Sequence, residues 1–145
     1  MRNDKMDITF SFQLTKESTT KDAYQLGFLE ADLTILVNGH VFFHEPYITI
    51  AELGVQLGEW IKHVNNGRMI DMNYRSIDHD EPIINFVYRD HHQWRLTSIW
   101  QKFSVDEIIP TNTLLQATSD FLHELHTELN SINYVVKLDK YLPST

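Results

Sequence analysis

Apolar and polar residues alternate from 7 to 15, with Ile8, Phe10, Phe12 and Leu14 on one side and Thr9, Ser11, Gln13 and Thr15 on the other. A period of two marks a strand with one dry face. A second such region surrounds Asn38-Gly39, the preferred pair for a two-residue type I′ turn because both central residues need positive φ. A hairpin closed there sets Val37 opposite His40, Ile35 opposite Phe42 and Leu33 opposite His44, leaving Thr34, Leu36, Val41 and Phe43 on the other face. Between the two regions, residues 16–22 read as a polar connector. Residues 24–30 fit either the start of a long second strand or an irregular lead-in to it.

The period changes after Thr49. Ile50, Leu53, Leu57, Ile61 and Val64 recur at three- and four-residue steps, with Trp60 at the margin of the stripe, which predicts a helix. Thr49-Ile50-Ala51-Glu52 has the spacing of a capping box at its start, and Asn65-Asn66-Gly67 offers a left-handed stop. Gly54 and Gly58 lie inside this helix, where glycine costs about 1 kcal/mol against alanine, so a neighbour's close approach is expected there. Residues 69–74 read as a short strand and residues 75–81 as a charged loop closed by Pro82. Strands follow at 83–89 and 93–101. A three-residue loop, Asp90-His91-His92, sets Tyr88 opposite Trp94, Phe86 opposite Leu96 and Ile84 opposite Ser98, with His92 left-handed. After a connector with a short strand at 107–109, a helix from about 112 to 131 is predicted by the stripe Leu114, Thr118, Phe121, Leu122, Leu125, Leu129 and Ile132. The tail from 133 to 145 fits a short strand or a packed segment.

The order β-β-β-α-β-β-β-α, dominated by hairpins, predicts an α+β fold: a single antiparallel sheet of about five to six strands with two helices on one face. The other face would carry Thr9, Ser11, Gln13, Thr34, Leu36, Val41, Phe43, Ile83, Val87, Arg95, Thr97 and Ile99. Apolar residues rimmed by hydroxyls suit a partner or a second copy of the chain, unless the lead-in or the tail covers them. The 145 residues fit one domain, spanning 1–145, which at this size buries roughly 70% of its unfolded surface.

Composition narrows the chemistry. There is no cysteine, hence no disulfide framework, thiol nucleophile or thiolate metal site. No stretch approaches the roughly 20 apolar residues of a membrane span, and the start MRNDKMDITF lacks a signal-peptide run. A cytoplasmic protein with no membrane partner is the expectation. Acidic residues outnumber basic ones 20 to 12, a net charge of −8, which repels nucleic acid and favours basic partners.

Eight histidines raise the question of a metal. His40 and His44 share a strand face but stand roughly 13 Å apart at strand rise, too far for one ion. His123-Glu124-Leu125-His126 spaces its histidines three apart, whereas the zinc-protease motif needs four. The clusters Asp78-His79-Asp80-Glu81 and Asp90-His91-His92 would hold a divalent ion only if the fold joined the two loops. Neither a metal nor a cofactor is expected. No Gly-x-Ser-x-Gly elbow, phosphate loop or basic stripe occurs, so an enzyme is not expected. A His/carboxylate metal-dependent hydrolase is the second alternative, behind a homo-oligomeric or small-ligand module using the open sheet face.

The stretches VNGHVFFHEP, AELGVQLGEWI and INFVYRDHHQWRLTSIWQKF, in this order, resemble small bacterial α+β domains, some of which resemble immunity proteins of polymorphic toxin systems. The resemblance implies a cytoplasmic, non-catalytic binder that neutralises a toxin by occluding it. Its acidic contacts would be Asp78, Asp80, Glu81 and Asp90, with Tyr74 and Trp100 as aromatic anchors. The acidic balance suits a basic toxin, because complementary charge speeds capture.

Overall fold

The computed structural model describes residues 6–14, 29–75, 81–132, 134 and 136–142. Its elements are β1 (Ile8–Leu14), β2 (Glu30–Val37), β3 (His40–Thr49), α1 (Ile50–Asn65), β4 (Met72–Tyr74), β5 (Ile84–Tyr88), β6 (Gln93–Ser98), β7 (Ile109–Pro110), α2 (Thr111–Ser131) and a 3₁₀ turn at Asp139–Tyr141. The α+β class and both helices agree with the sequence reading. The expected connector at 16–22, and all but the last two residues of the lead-in at 24–30, lie outside the described residues.

The sheet differs from expectation. Instead of one sheet of five to six strands there are two antiparallel ones, β1-β2-β3 and β4-β5-β6-β7. The reason is physical: a period of two specifies one dry face per strand, and two sheets sharing a core satisfy it as well as one sheet under two helices. β3 runs straight into α1, which carries the chain away before β4 can add to the first sheet. The dry faces then meet. Phe10 of β1 stands edge-on to Phe86 of β5 at 6.3 Å, and one hydrophobic cluster runs through both sheets and both helices. Trp60 of α1 packs on Phe86 and Trp94 at 5.0 and 5.2 Å, while Phe121 of α2 packs on Phe10 and Phe12 at 5.8 and 5.6 Å.

Register follows the sequence in one hairpin and departs from it in the other. The β5–β6 pairs Ile84–Ser98, Phe86–Leu96 and Tyr88–Trp94 are as expected. His92 is left-handed at φ 60°, and so is His91 at φ 50°. The Asn38-Gly39 turn keeps Val37 opposite His40, but a bulge sets Ile35 opposite Phe43 rather than Phe42, and Leu33 opposite Glu45 rather than His44. The extra residue lets two consecutive rings, Phe42 and Phe43, both be fully buried, which strict alternation forbids. A second irregularity, between Ala31 and Leu33 on β2, leaves exposed Tyr47 at φ 63°.

The helix α1 ends as read. Gly67, at φ 83°, donates its N–H to Val64 C=O at 3.0 Å, and Arg68 N–H reaches His63 C=O at 2.9 Å, a Schellman cap. Its start differs from a capping box: Thr49 makes no side-chain bond to the helix backbone, and its Oγ1 donates instead to Glu52 Oε2 at 3.0 Å. A Cβ on Gly54 would sit 2.7 Å from Leu125 Cδ2, and one on Gly58 would collide with the Tyr141 ring. The glycines thus admit α2 and the chain's tail. Among the described residues of that tail there is no strand: Asp139–Tyr141 forms the 3₁₀ turn, and Tyr134 and Leu138 are fully buried.

Phe43 and Ile83 are buried, which removes them from the expected open face. The remainder is divided between sheets: Thr9–Leu36–Val41 and Ser11–Thr34–His44 form cross-strand rows on one, and Asn73–Asn85–Thr97 forms a row on the other. Among the described residues, no helix is long and apolar enough to cross a membrane.

Candidate partner-binding surface

Of the four acidic residues expected to contact a partner, Glu81 and Asp90 lie among the described residues. Asp78 and Asp80 lie outside the described residues. Glu81 and Asp90 are exposed, but they sit at opposite ends of the five-residue strand β5, so about 17 Å of strand intervenes. Among the described residues, no three His, Asp or Glu side chains converge in a metal-binding group.

The Asp90-His91-His92 loop has a structural job. Gln93 N–H donates to Asp90 C=O at 3.0 Å, closing the turn, and Thr111 N–H donates to His92 C=O at 3.0 Å. Thr111 Oγ1 donates to the same carbonyl at 3.0 Å and accepts the Trp94 indole N–H at 2.8 Å. The turn is therefore tied to the start of α2. The two histidines border an open hollow of about 610 Å³ with Asn65, Asn112 and Leu115. Elsewhere, exposed His123 and half-buried His126 ride on α2, and His126 Nε2 meets Asn130 Nδ2 at 3.1 Å.

Of the two aromatic anchors, Tyr74 is fully buried and presents no surface to a partner. The alternation of β4, buried-exposed-buried, turns it inward. Its hydroxyl lies 2.7 Å from Thr49 Oγ1. Because Thr49 gives its single proton to Glu52, Tyr74 must be the donor to Thr49. Burial pushes the Tyr74 hydroxyl up to about 12; the Thr49 bond opposes this and the Glu52 charge adds to it.

Trp100 is half-buried and tilts over Phe43 with centroids 6.5 Å apart. The segment around it is pinned. Trp100 N–H donates to Ser98 Oγ at 3.0 Å, Ser98 N–H donates to Gln101 Oε1 at 3.0 Å, and Lys102 N–H donates to Phe42 C=O at 2.8 Å. Phe103 stands edge-on to Phe42 at 5.7 Å. On this fixed segment Ile99 is 44% and Phe103 37% exposed, and Val41, next to Phe42, is 40% exposed. Two buried rings thus back the 99–103 segment, and backbone and side-chain bonds hold it in place. The sequence places Val41 and Ile99 on an outward face and offers Trp100 as an anchor, but gives no sign of Phe103, a large apolar side chain just after the strand's end with no periodic pattern to claim it.

A family model described as a domain of unknown function (DUF7878) matches residues 8–131, and the chain belongs to that family. Neither curated proteins nor solved structures gave a match.

Proposed function

We propose that this member of the DUF7878 family is a non-catalytic binding protein that occludes a basic protein partner, in the manner of an immunity protein neutralising a toxin in the cytoplasm. The observation that carries the reading is the pair of exposed apolar side chains, Ile99 and Phe103, on the pinned segment that packs on Phe42 and Phe43, with exposed Val41 next to Phe42 in the chain. Apolar surface of this kind, preorganised by buried rings, costs little ordering entropy when a partner covers it. Aromatic anchors of this type dominate binding energies at interfaces. The net charge of −8 adds attraction for a basic partner at longer range.

The test is calorimetric titration of the purified protein with the product of the adjacent gene, at low and moderate salt. One-to-one binding that weakens with salt, and that Phe103→Asp lowers at least tenfold with the circular dichroism spectrum of the folded chain unchanged, is the expected result. Absence of binding, together with no protection of cells expressing that product, overturns the reading.

A further inference from the structure

We propose that the outer edge of β1 takes up an extended segment of a partner protein carrying Lys or Arg at alternate positions, paired as a fourth strand beside α2. The proposal deepens the binding reading above, and rests on it, by naming a second contact and the kind of segment that fits it.

The edge is defined by the ladder. Sheet order leaves β1 and β3 at its margins, and β1 pairs with β2 without a register shift from Ile8–Val37 to Leu14–Ala31. Asn38 N–H donates to Asp7 C=O at 2.7 Å, and Asp7 N–H donates to Asn38 Oδ1 at 2.9 Å. Antiparallel pairs alternate, so Thr9, Ser11 and Gln13 also bond toward β2. The N–H and C=O groups of Ile8, Phe10, Phe12 and Leu14 point outward. Among the described residues nothing pairs with them.

The opposite margin is handled differently. β3 carries two register irregularities, a proline at 46 and a left-handed Tyr47, and the 99–103 segment bonds to it through Lys102. Bulges, proline and covering loops are the devices by which proteins blunt a sheet edge. β1, ITFSFQL, has no charge, proline, glycine or bulge. An edge left regular and uncharged, while its counterpart is blunted twice over, is built to receive a strand.

The neighbour identifies the occupant. Hollows of about 360 and 430 Å³ lie between β1 and α2, the first bordered by Met6–Thr9 and Asn112–Asp120, the second by Phe12–Leu14 and Glu124–Glu128. Strand and helix therefore run alongside in the same direction. Asp120, Glu124 and Glu128 are exposed and four residues apart, and α2 contains no Lys or Arg. Four helical residues advance about 6 Å, and alternate residues of a strand advance about 6.7 Å, so a cation at every second position keeps step with the acids. A second copy of β1 would set one acidic stripe near another, on chains of charge −8 each. Charge thus selects a basic segment over self-pairing.

The probes are capped nine-residue peptides alternating threonine with lysine, and threonine with glutamate, added to the full ¹⁵N-labelled chain at low salt. In the free chain the amides of Ile8, Phe10, Phe12 and Leu14 exchange quickly and those of Thr9, Ser11 and Gln13 slowly. The lysine peptide protects the first set and binds at least tenfold more tightly than the glutamate peptide. Leu14→Pro, which removes one outward donor at the strand's end, lowers that affinity several-fold with the circular dichroism spectrum unchanged. The triple change Asp120→Lys, Glu124→Lys, Glu128→Lys, confined to exposed positions, reverses the peptide preference. Equal binding of the two peptides, slow exchange of the even-numbered amides in the free chain, or a dimer whose formation protects them, each overturns the proposal. If the adjacent gene's product binds but leaves these amides unprotected, the edge assignment fails and the binding reading stands. If the lysine peptide docks and that product does not bind, the reverse holds.

Discussion

Gly58 shows how a single hydrogen can decide the seating of the Asp139–Tyr141 turn. An added Cβ would meet the Tyr141 ring, whose hydroxyl donates to Glu59 Oε2 at 2.7 Å, so the ring can retreat only by straining that bond. Alanine gains about 1 kcal/mol of helix propensity, whereas overpacking costs typically 1–3 kcal/mol. Gly58→Ala should therefore lose up to about 2 kcal/mol in urea denaturation. In a Tyr141→Ala background the same change should become neutral or stabilising; an equal loss in both backgrounds would rule out the ring as the cause. Tyr74 makes a second prediction at this scale. With the hydroxyl pushed up to about 12 when folded and ionising near 10 when unfolded, its stabilisation is complete below pH 10 and disappears as pH rises toward 12. Tyr74→Phe should cost about 1 kcal/mol at pH 8, where Thr49 loses its donor, yet lose less stability than the wild type between pH 8 and pH 11. Tyr141, also pushed up to about 12 by burial and by its bond to Glu59, keeps part of the alkaline loss in both proteins.

At the scale of elements, the β5–β6 turn holds two non-glycine residues at positive φ, His91 and His92. Left-handed backbone costs a side-chain-bearing residue roughly 1–2 kcal/mol, though histidine is among the more tolerant types. Replacing the pair by Asn-Gly, which suits a type I′ turn, should raise stability by about 1 kcal/mol. That is a rise of about 3 °C in melting temperature for a chain of this size, while the bonds from Thr111 to the His92 carbonyl are retained. Unchanged or lowered stability would show that the histidine rings contribute more than the backbone strain removes. This hairpin was legible in sequence because large apolar residues matched across it in only one register. The β2–β3 hairpin was legible only at its turn: Val41-Phe42-Phe43 offers three apolar residues in a row, and no pattern says which one is extra. What the sequence did not reveal was the division into two sheets, because alternation reports a dry face and not what dries it. The acidic loops drew notice by composition, while the packing of Phe103 on Phe42, sixty-one residues away in the chain, carried no local signal.

For the molecule as a whole, charge and apolar surface act on different parts of a binding reaction. The net charge of −8 is felt over about a Debye length, roughly 10 Å at 0.1 M salt, and would speed the encounter with the proposed basic partner. The exposed side chains of Val41, Ile99 and Phe103 act only on contact, and contact losses appear mainly in the rate of dissociation. Stopped-flow association and dissociation rates with the adjacent gene's product should separate the two. Raising salt from 0.02 to 0.2 M should slow association by about tenfold or more and leave dissociation almost unchanged. Phe103→Ala should speed dissociation by about tenfold, the equivalent of about 1.4 kcal/mol, and leave association almost unchanged. The stripe Asp120, Glu124 and Glu128 can take part in both, steering a basic segment from a distance and pairing with it once it lies along β1. Its charge reversal should therefore alter both rates. An effect of reversal on association alone would confine the stripe to steering and leave the β1 edge without a role in holding the partner.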